Sequence, residues 1–401
     1  LQPGRWRFEG AMVFGADRVA GAPQNLDFPT ELTPERIENS FATPDTLSLW
    51  ALPEFIKILE AAGFSAIRHR LHFQSLLALP LLAISGLIGI FVGDTAQLPP
   101  VGSIDSPALN PAYLSSNFHL EVNCVELTEV VRQEKKSGIL ANATMLRELI
   151  NAYEDESLFP QFVTKGFKDI FRMTGIKFVE GLEYAYSKYG LENSLVVCRS
   201  NKSANIYNNQ IRARLLYRDE ELSGGDYIMV VRNNYFWLPD DNETAFIANG
   251  DIVEVLEIFK FVELYGFKFA KVKIRMVDYP NQKPFETIVL LDTITSESPS
   301  LTYEESNALY QEVMKDYEGE PQYRKFLKVK NNEYFNALQV KFSYAITCHK
   351  SQGGQWNTVF IEQPYLPDGI TVDYVRWLYT AVTRAKDKLY LIGFKDESFE
   401  G

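Results

Sequence analysis

No stretch of this 401-residue chain reads G-x-x-x-x-G-K-[ST], the loop whose backbone N–H groups and lysine cradle nucleotide phosphates. Its absence excludes a self-sufficient phosphate-binding engine of that type. Cysteine is scarce too: Cys124, Cys198 and Cys348 stand far apart, and the four histidines, at 69, 72, 119 and 349, form no cluster with them. Neither set has the spacing of a zinc site, so no metal ligands are assigned. An odd, scattered trio suits a reducing compartment better than a disulfide framework. Positive charge is in deficit, 40 Lys and Arg against 52 Asp and Glu, for a formal charge of -12. Any nucleic acid must therefore be held in a local groove rather than by a basic coat.

Long apolar runs are nearly missing. The exception is 76–92, 17 uncharged residues preceded by Arg68 and Arg70, which is short of the about 20 that a spanning helix needs. Its end, 87–92, also reads as a buried parallel strand, and the two uses exclude each other, so no stable membrane span is expected. That run contains no carboxylate either, hence no strand-end Asp-Glu pair to hold magnesium. The start of the chain, with Pro3, Gly4, Arg5 and Arg7, lacks the apolar core of a cleavable leader.

What is present predicts a protein of more than one unit, since 46% hydrophobic residues over this length fill several cores. Residues 5–50 alternate apolar and polar positions in short runs, as strands of an incomplete sheet would. Pro53, then Phe55, Ile56 and Leu59 on one face and Gly63 beyond, describe a short amphipathic helix. From 109 to 222 apolar strand cores such as 194–198 alternate with helical patterns such as 139–153, the mark of an α/β layer. Residues 225–340 change character: runs at 227–231, 252–256, 271–274 and 287–291, punctuated by turns such as Asn249-Gly250-Asp251, predict a small antiparallel barrel. Strands at 340–346, 358–362 and 389–394 and a helix at 373–386 return to α/β. The acidic stretch 303–320 reads as a helix with one solvated face.

Three strings carry the chemistry: Gly93-Asp94-Thr95-Ala96-Gln97-Leu98-Pro99-Pro100-Val101-Gly102, Tyr344-Ala345-Ile346-Thr347-Cys348-His349-Lys350-Ser351-Gln352-Gly353-Gly354, and Leu378-Tyr379-Thr380-Ala381-Val382-Thr383-Arg384-Ala385-Lys386. In this order they resemble motifs III, V and VI of superfamily 1 DNA helicases of the RecD-like type, and Leu127-Thr128-Glu129-Val130-Val131-Arg132-Gln133 resembles motif IV. Another segment, from Thr33-Pro34-Glu35-Arg36-Ile37 through Leu47-Ser48-Leu49-Trp50 to Arg68-His69-Arg70-Leu71-His72, is similar to lipopolysaccharide export permeases of the YjgP/YjgQ kind. The chain therefore reads as a chimaera joined between Pro80 and Ile90.

The helicase resemblance implies an α/β fold: a second RecA-like motor domain (109–224 and 341–401) with an inserted SH3-like β-barrel (225–340). Before it come a junction carrying motif III (83–108) and a permease-like, partly β-rich fragment with an apolar helix (1–82). The resemblance also implies ATP and Mg2+ as cofactors, single-stranded DNA as partner, a cytoplasmic helicase part with work in DNA repair and recombination, and an inner-membrane or periplasmic origin for the permease-like part. Its catalytic residues map to Gln97, Arg132 and Arg384, the two guanidiniums acting as arginine fingers. Its nucleotide contacts map to Gly93, Asp94, Gln97, Gln352, Gly353 and Arg384. Its DNA contacts map to Thr347, His349, Lys350 and Ser351, joined by Asn201 and Lys202 at a helix start where a plain cap is an equal reading. Tyr235, Phe236 and Trp237 either stack bases or fill the barrel, with filling preferred.

Lacking P-loop and Asp-Glu pair, the chain is expected to bind single strands weakly and to hydrolyse nothing alone. Two other readings stay open: a subunit whose first RecA-like domain comes in trans, and a membrane-associated permease fragment with the helicase part as passenger.

Overall fold

The computed structural model describes residues 93–118, 121–124, 136–152, 160–238, 246–366 and 369–400. The expected features of 1–82, the apolar run 76–92 and Arg132 lie outside these residues. Two compact units partition the chain: 96–98 with 130–401, and the remainder up to 129. The smaller unit, as described, contains Gly93, Asp94 and helix α1 (Pro111–Phe118).

In the larger unit, α2 (Gly138–Asn151) starts at Ser137, whose hydroxyl accepts from Leu140 N. Strand β1 (Ile170–Met173) leads to α3 (Phe178–Tyr189), β2 (Ser194–Cys198) and α4 (Asn201–Arg214). Strands β3 (Tyr227–Val230), β4 (Ile252–Leu264), β5 (Phe267–Met276) and β6 (Phe285–Leu290) follow. Next come α5 (Asp292–Thr295), α6 (Tyr303–Lys315), α7 (Gln322–Lys330) and β7 (Leu338–Phe342). The chain then returns through β8 (Ala345–Thr347), α8 (Cys348–Ser351), β9 (Trp356–Glu362), α9 (Val372–Val382) and β10 (Ala385–Ile392).

Five strands form one sheet in the order β1-β10-β9-β2-β8, with every pair parallel. Both faces are covered, so β2 is buried at every position and, after Ser194, reads as the apolar run Leu-Val-Val-Cys. Leu195 and Val197 join Val359 and Ile361 beneath α2 and α9, whereas Val196 and Cys198 join Phe360 beneath α3 and α4. The pleat sends alternate residues to opposite cores.

Strands β3 to β7 close a barrel, filled by Ile228, Val253, Val255, Ala270, Val272, Ile274, Val289 and Val340. It departs from the expected all-antiparallel form, because β6 and β7 pair in parallel. The excursion between them carries α5, α6 and α7 and lets the chain re-enter in the same direction. Residues 340–346, expected as one strand, are two: β7 ends in the barrel at Phe342 and β8 begins in the parallel sheet at Ala345. Between them Tyr344 turns inward, its hydroxyl donating to the fully buried Asp226 carboxylate at 2.9 Å. Asp226 also accepts from Arg212 and Arg218. This buried cluster ties α4, the barrel entry and the barrel exit together.

Helix α6 has the expected solvated face, with a capping box in which Thr302 and Glu305 satisfy each other's N–H groups. Trp237, partly buried, packs against the core and donates from Nε1 to Asn336 O at 2.7 Å, whereas Tyr235 stays 53% exposed. Among the described residues no helix is long and apolar enough to cross a membrane.

Candidate functional site

Parallel strands β2 and β8 are neighbours, and ligand sites in parallel sheets gather at the carboxyl ends of strands. After β2 the chain enters α4 through Ser200, whose hydroxyl accepts from Ser203 N at 3.1 Å. The cap is therefore Ser200, and Asn201 and Lys202 occupy the first helical positions with their side chains free of capping work. After β8, Thr347 stands at the N-cap position of α8 with no capping bond from its side chain, and α8 bears His349 and Lys350. A narrow cleft between the two is lined by Asn201, Asn205, Lys341, Thr347 and Lys350.

His349 and Lys202 are exposed, Thr347, Lys350 and Asn201 half-buried, and Ser351 fully buried. The Ser351 hydroxyl donates to Cys348 O at 2.7 Å, which closes the turn from within. Partial desolvation lowers the His349 pKa although the residue still reaches solvent. Burial, then the neighbouring Lys341 charge, brings Lys350 from 10.5 to about 7, and burial alone brings Lys341 to about 8. Both ammonium groups donate to carbonyls: Lys350 to Pro299 O at 3.4 Å, Lys341 to Thr293 O at 2.9 Å and Ser296 O at 2.6 Å. Asn205 and Lys341 escaped sequence reading. Asn205 sits one helical turn after Asn201, a spacing that could have exposed it.

A second focus joins the three strings. Leu98 N donates to Thr380 Oγ1 at 2.9 Å, and Gln352 Nε2 donates to Leu98 O at 2.8 Å. Arg384, 4% exposed, donates from Nε to Thr380 O at 2.9 Å, from Nη1 to Gly354 O at 3.1 Å and Ser351 O at 3.4 Å, and from Nη2 to Thr383 Oγ1 at 3.0 Å. Gly353 turns the chain here at φ +81°, a conformation natural to glycine. A Cβ on Gly354 would come within 2.3 Å of the Trp356 ring. Thr380, absent from the sequence-based candidates, is the hub, donating its own hydroxyl to Arg376 O at 2.8 Å. Gln97, half-buried, belongs to the same unit, and Gly93 and Asp94 to the other.

The residues present do not fit a complete ATP–magnesium site. The sequence supplies no P-loop, and the Arg384 guanidinium is bonded to carbonyls and a hydroxyl of its own unit.

Comparison with known proteins divides the chain in two. Residues 342–392 match the family model of the UvrD-like helicase C-terminal domain, and residues 10–95 match that of the lipopolysaccharide export system permease LptF/LptG. The permease match continues past the expected junction as far as Thr95. An uncharacterised protein of Acanthamoeba polyphaga mimivirus is 22% identical over 75% of this chain and 68% of its own length. One from Methanocaldococcus jannaschii is 25% identical over 76% of this chain, which spans only 26% of that relative. Among solved structures, the Bacteroides Pif1 helicase in complex with ADP-AlF3 and ssDNA is 12% identical, with 92% of this chain and 81% of that chain covered and a TM-score of 0.40. The Candida albicans Pif1 helicase is 16% identical, with 77% and 65% covered and a TM-score of 0.30. Residues 342–392, which hold the second and third strings, thus resemble the UvrD-like helicase C-terminal domain, and residues 10–95 resemble an export permease.

Proposed function

We propose that the chain from about residue 89 onward is the C-terminal portion of a RecD-like superfamily 1 DNA helicase, able to hold single-stranded DNA but not to drive unwinding alone. In this reading 109–224 and 341–401 are a second RecA-like domain, 225–340 an SH3-like insertion, 83–108 the remnant carrying motif III, and 1–82 a permease fragment. The covered parallel sheet and the closed five-strand barrel support the first two assignments.

The observation that carries the reading is the convergence of three strings far apart in sequence: Leu98, Gln352, Thr380 and Arg384 are linked by direct hydrogen bonds. Such a junction couples a nucleotide-facing loop to the DNA-facing corner beside it. Thr347, His349, Lys350, Asn201 and Lys202 are the DNA contacts, with Ser351 shaping their turn. Losing the phosphate loop and the magnesium carboxylate removes several kcal/mol of barrier lowering each, so Gln97 and Arg384 form only the closing wall of an ATP cleft.

The test is ATP hydrolysis by the purified chain with and without single-stranded DNA, beside fluorescence anisotropy with an oligothymidylate at about 50 mM salt. Salt-sensitive binding without turnover is the expected result. DNA-stimulated turnover overturns the inactivity, and absence of binding overturns the DNA assignment. A second reading, favoured by the match at 10–95, makes the chain a membrane-associated permease fragment with the helicase part as passenger. Its signature is recovery of the full chain only with detergent.

A further inference from the structure

Two of the donors assigned above to DNA, Asn201 and Lys350, are already in use, and so are their cleft neighbours Asn205 and Lys341. Asn201 Nδ2 donates to Glu297 O at 3.0 Å, Asn205 Nδ2 to Thr295 O at 2.8 Å and Ser296 O at 3.0 Å, and Lys350 Nζ to Pro299 O at 3.4 Å. Lys341 Nζ adds its bonds to Thr293 O and Ser296 O. Every acceptor is a backbone carbonyl of one short segment leaving the barrel after β6. We propose that 295–299 is an autoinhibitory strap, whose carbonyls stand where nucleic-acid phosphates would bind and which a single strand must displace. The proposal rests on the DNA reading of Asn201 and Lys350.

The strap's attachment explains why it holds and why it can yield. Both ends are fixed to the barrel. Thr293, buried, donates from Oγ1 to Leu290 O and accepts from Val340 N, and Leu301 N donates to Gln339 Oε1 at 3.0 Å. Between them no residue from 295 to 300 is buried, so the middle is held by polar contacts with no apolar anchor. A neutral carbonyl is a weaker acceptor for an ammonium or an amide than a charged phosphate oxygen, and charge-assisted bonds are roughly twice as strong as neutral ones. A phosphate backbone therefore competes well for these donors. Glu297, exposed on the strap, adds a charge that repels a strand until the segment moves. The lowered pKa values of Lys341 and Lys350 agree with a cover that keeps water from both.

Two arms test this on the full chain, with an oligothymidylate as probe. Replacing Ser296, Glu297 and Ser298 by glycine makes the ordered strap entropically dearer, and the expected result is binding about tenfold tighter than the parent. Unchanged or weaker binding overturns the strap. In the second arm the parent is digested with a glutamyl endopeptidase, and cleavage after Glu297 is followed by mass spectrometry. Saturating oligothymidylate is expected to speed that cut. Binding seen by anisotropy with an unchanged rate of cutting overturns the strap and leaves the DNA reading standing, whereas no binding by parent or glycine variant overturns both. If the glycine variant fails to fold, the protease arm decides alone.

Discussion

Replacing Arg384 by alanine is the obvious test of the proposed arginine finger, yet its geometry predicts a structural defect first. The side chain is 4% exposed and makes three good bonds, to Thr380 O, Gly354 O and Thr383 Oγ1, plus a long one of 3.4 Å to Ser351 O. Hydrogen bonds from charged donors contribute about 1.5–3 kcal/mol each, so the sum has an upper bound of about 4.5–9 kcal/mol. The desolvation of a buried guanidinium offsets part of it, which brings the expected loss to about 3–5 kcal/mol. The loss is local, because the bonds join the 351–354 turn to the end of α9. Amide exchange over 345–356 and 378–386 should therefore accelerate by about a hundredfold or more, at about 1.4 kcal/mol per factor of ten, while the barrel strands keep their protection. Lysine at 384 should recover little, since a point charge cannot span three separate acceptors. Exchange in the alanine variant within threefold of the parent would refute the reasoning and return Arg384 to a purely chemical role.

Four further outcomes follow from the same structure. Asp226→Asn strips the counter-charge from Arg212 and Arg218, whose side chains are 6% and 19% exposed. It should cost about 3–5 kcal/mol in urea unfolding monitored by tyrosine and tryptophan fluorescence. Lys350 titrates near 7 in the native chain against an ordinary 10.5, so above pH 7 the unfolded chain retains a proton that the native one has released. Stability should rise with pH between about 7 and 10.5 and stay flat with respect to this group below 7, and Lys350→Met should flatten that slope in melting curves. The charge available to a phosphate runs the other way, so oligothymidylate affinity should fall from pH 6 to pH 8 in the parent and less so in Lys350→Arg. Gly354→Ala drives a Cβ into the Trp356 ring and should cost about 1–3 kcal/mol, with a shift in Trp356 emission as the local report.

The strings at 93–102, 344–354 and 378–386 were legible because each packs an unusual demand into adjacent residues: a left-handed glycine at 353, a buried cation at 384, a proline-stiffened loop at 99 and 100. The covered sheet was legible from β2, whose continuous apolar run alternates between two cores. The break at Ser343-Tyr344 was not, because β7 and β8 are both buried throughout or nearly so, and burial on both sides leaves no pattern that marks the point at which the chain changes sheets. The parallel β6–β7 pair was hidden for a similar reason, since pairing direction depends on the path of the intervening helices rather than on either strand's composition.

The strap was invisible for a deeper reason. Sequence reading finds sites from side chains, and a site's competitor built of backbone carbonyls has no residue signature. Its middle, Thr295-Ser296-Glu297-Ser298-Pro299, resembles any polar connection. Yet those carbonyls decide what the visible residues can do. Asn201 and Lys350, and with them Asn205 and Lys341, which sequence reading missed, carry donors that prefer an oxygen acceptor, and in the folded chain that preference is met internally. For a phosphate backbone to bind here, its gain is the difference between a charged and a neutral acceptor at the same donors, minus the freedom it takes from the strand. A chain with net charge -12 has no long-range attraction with which to enlarge that difference, so affinity at this site should be set by how readily 295–299 lets go.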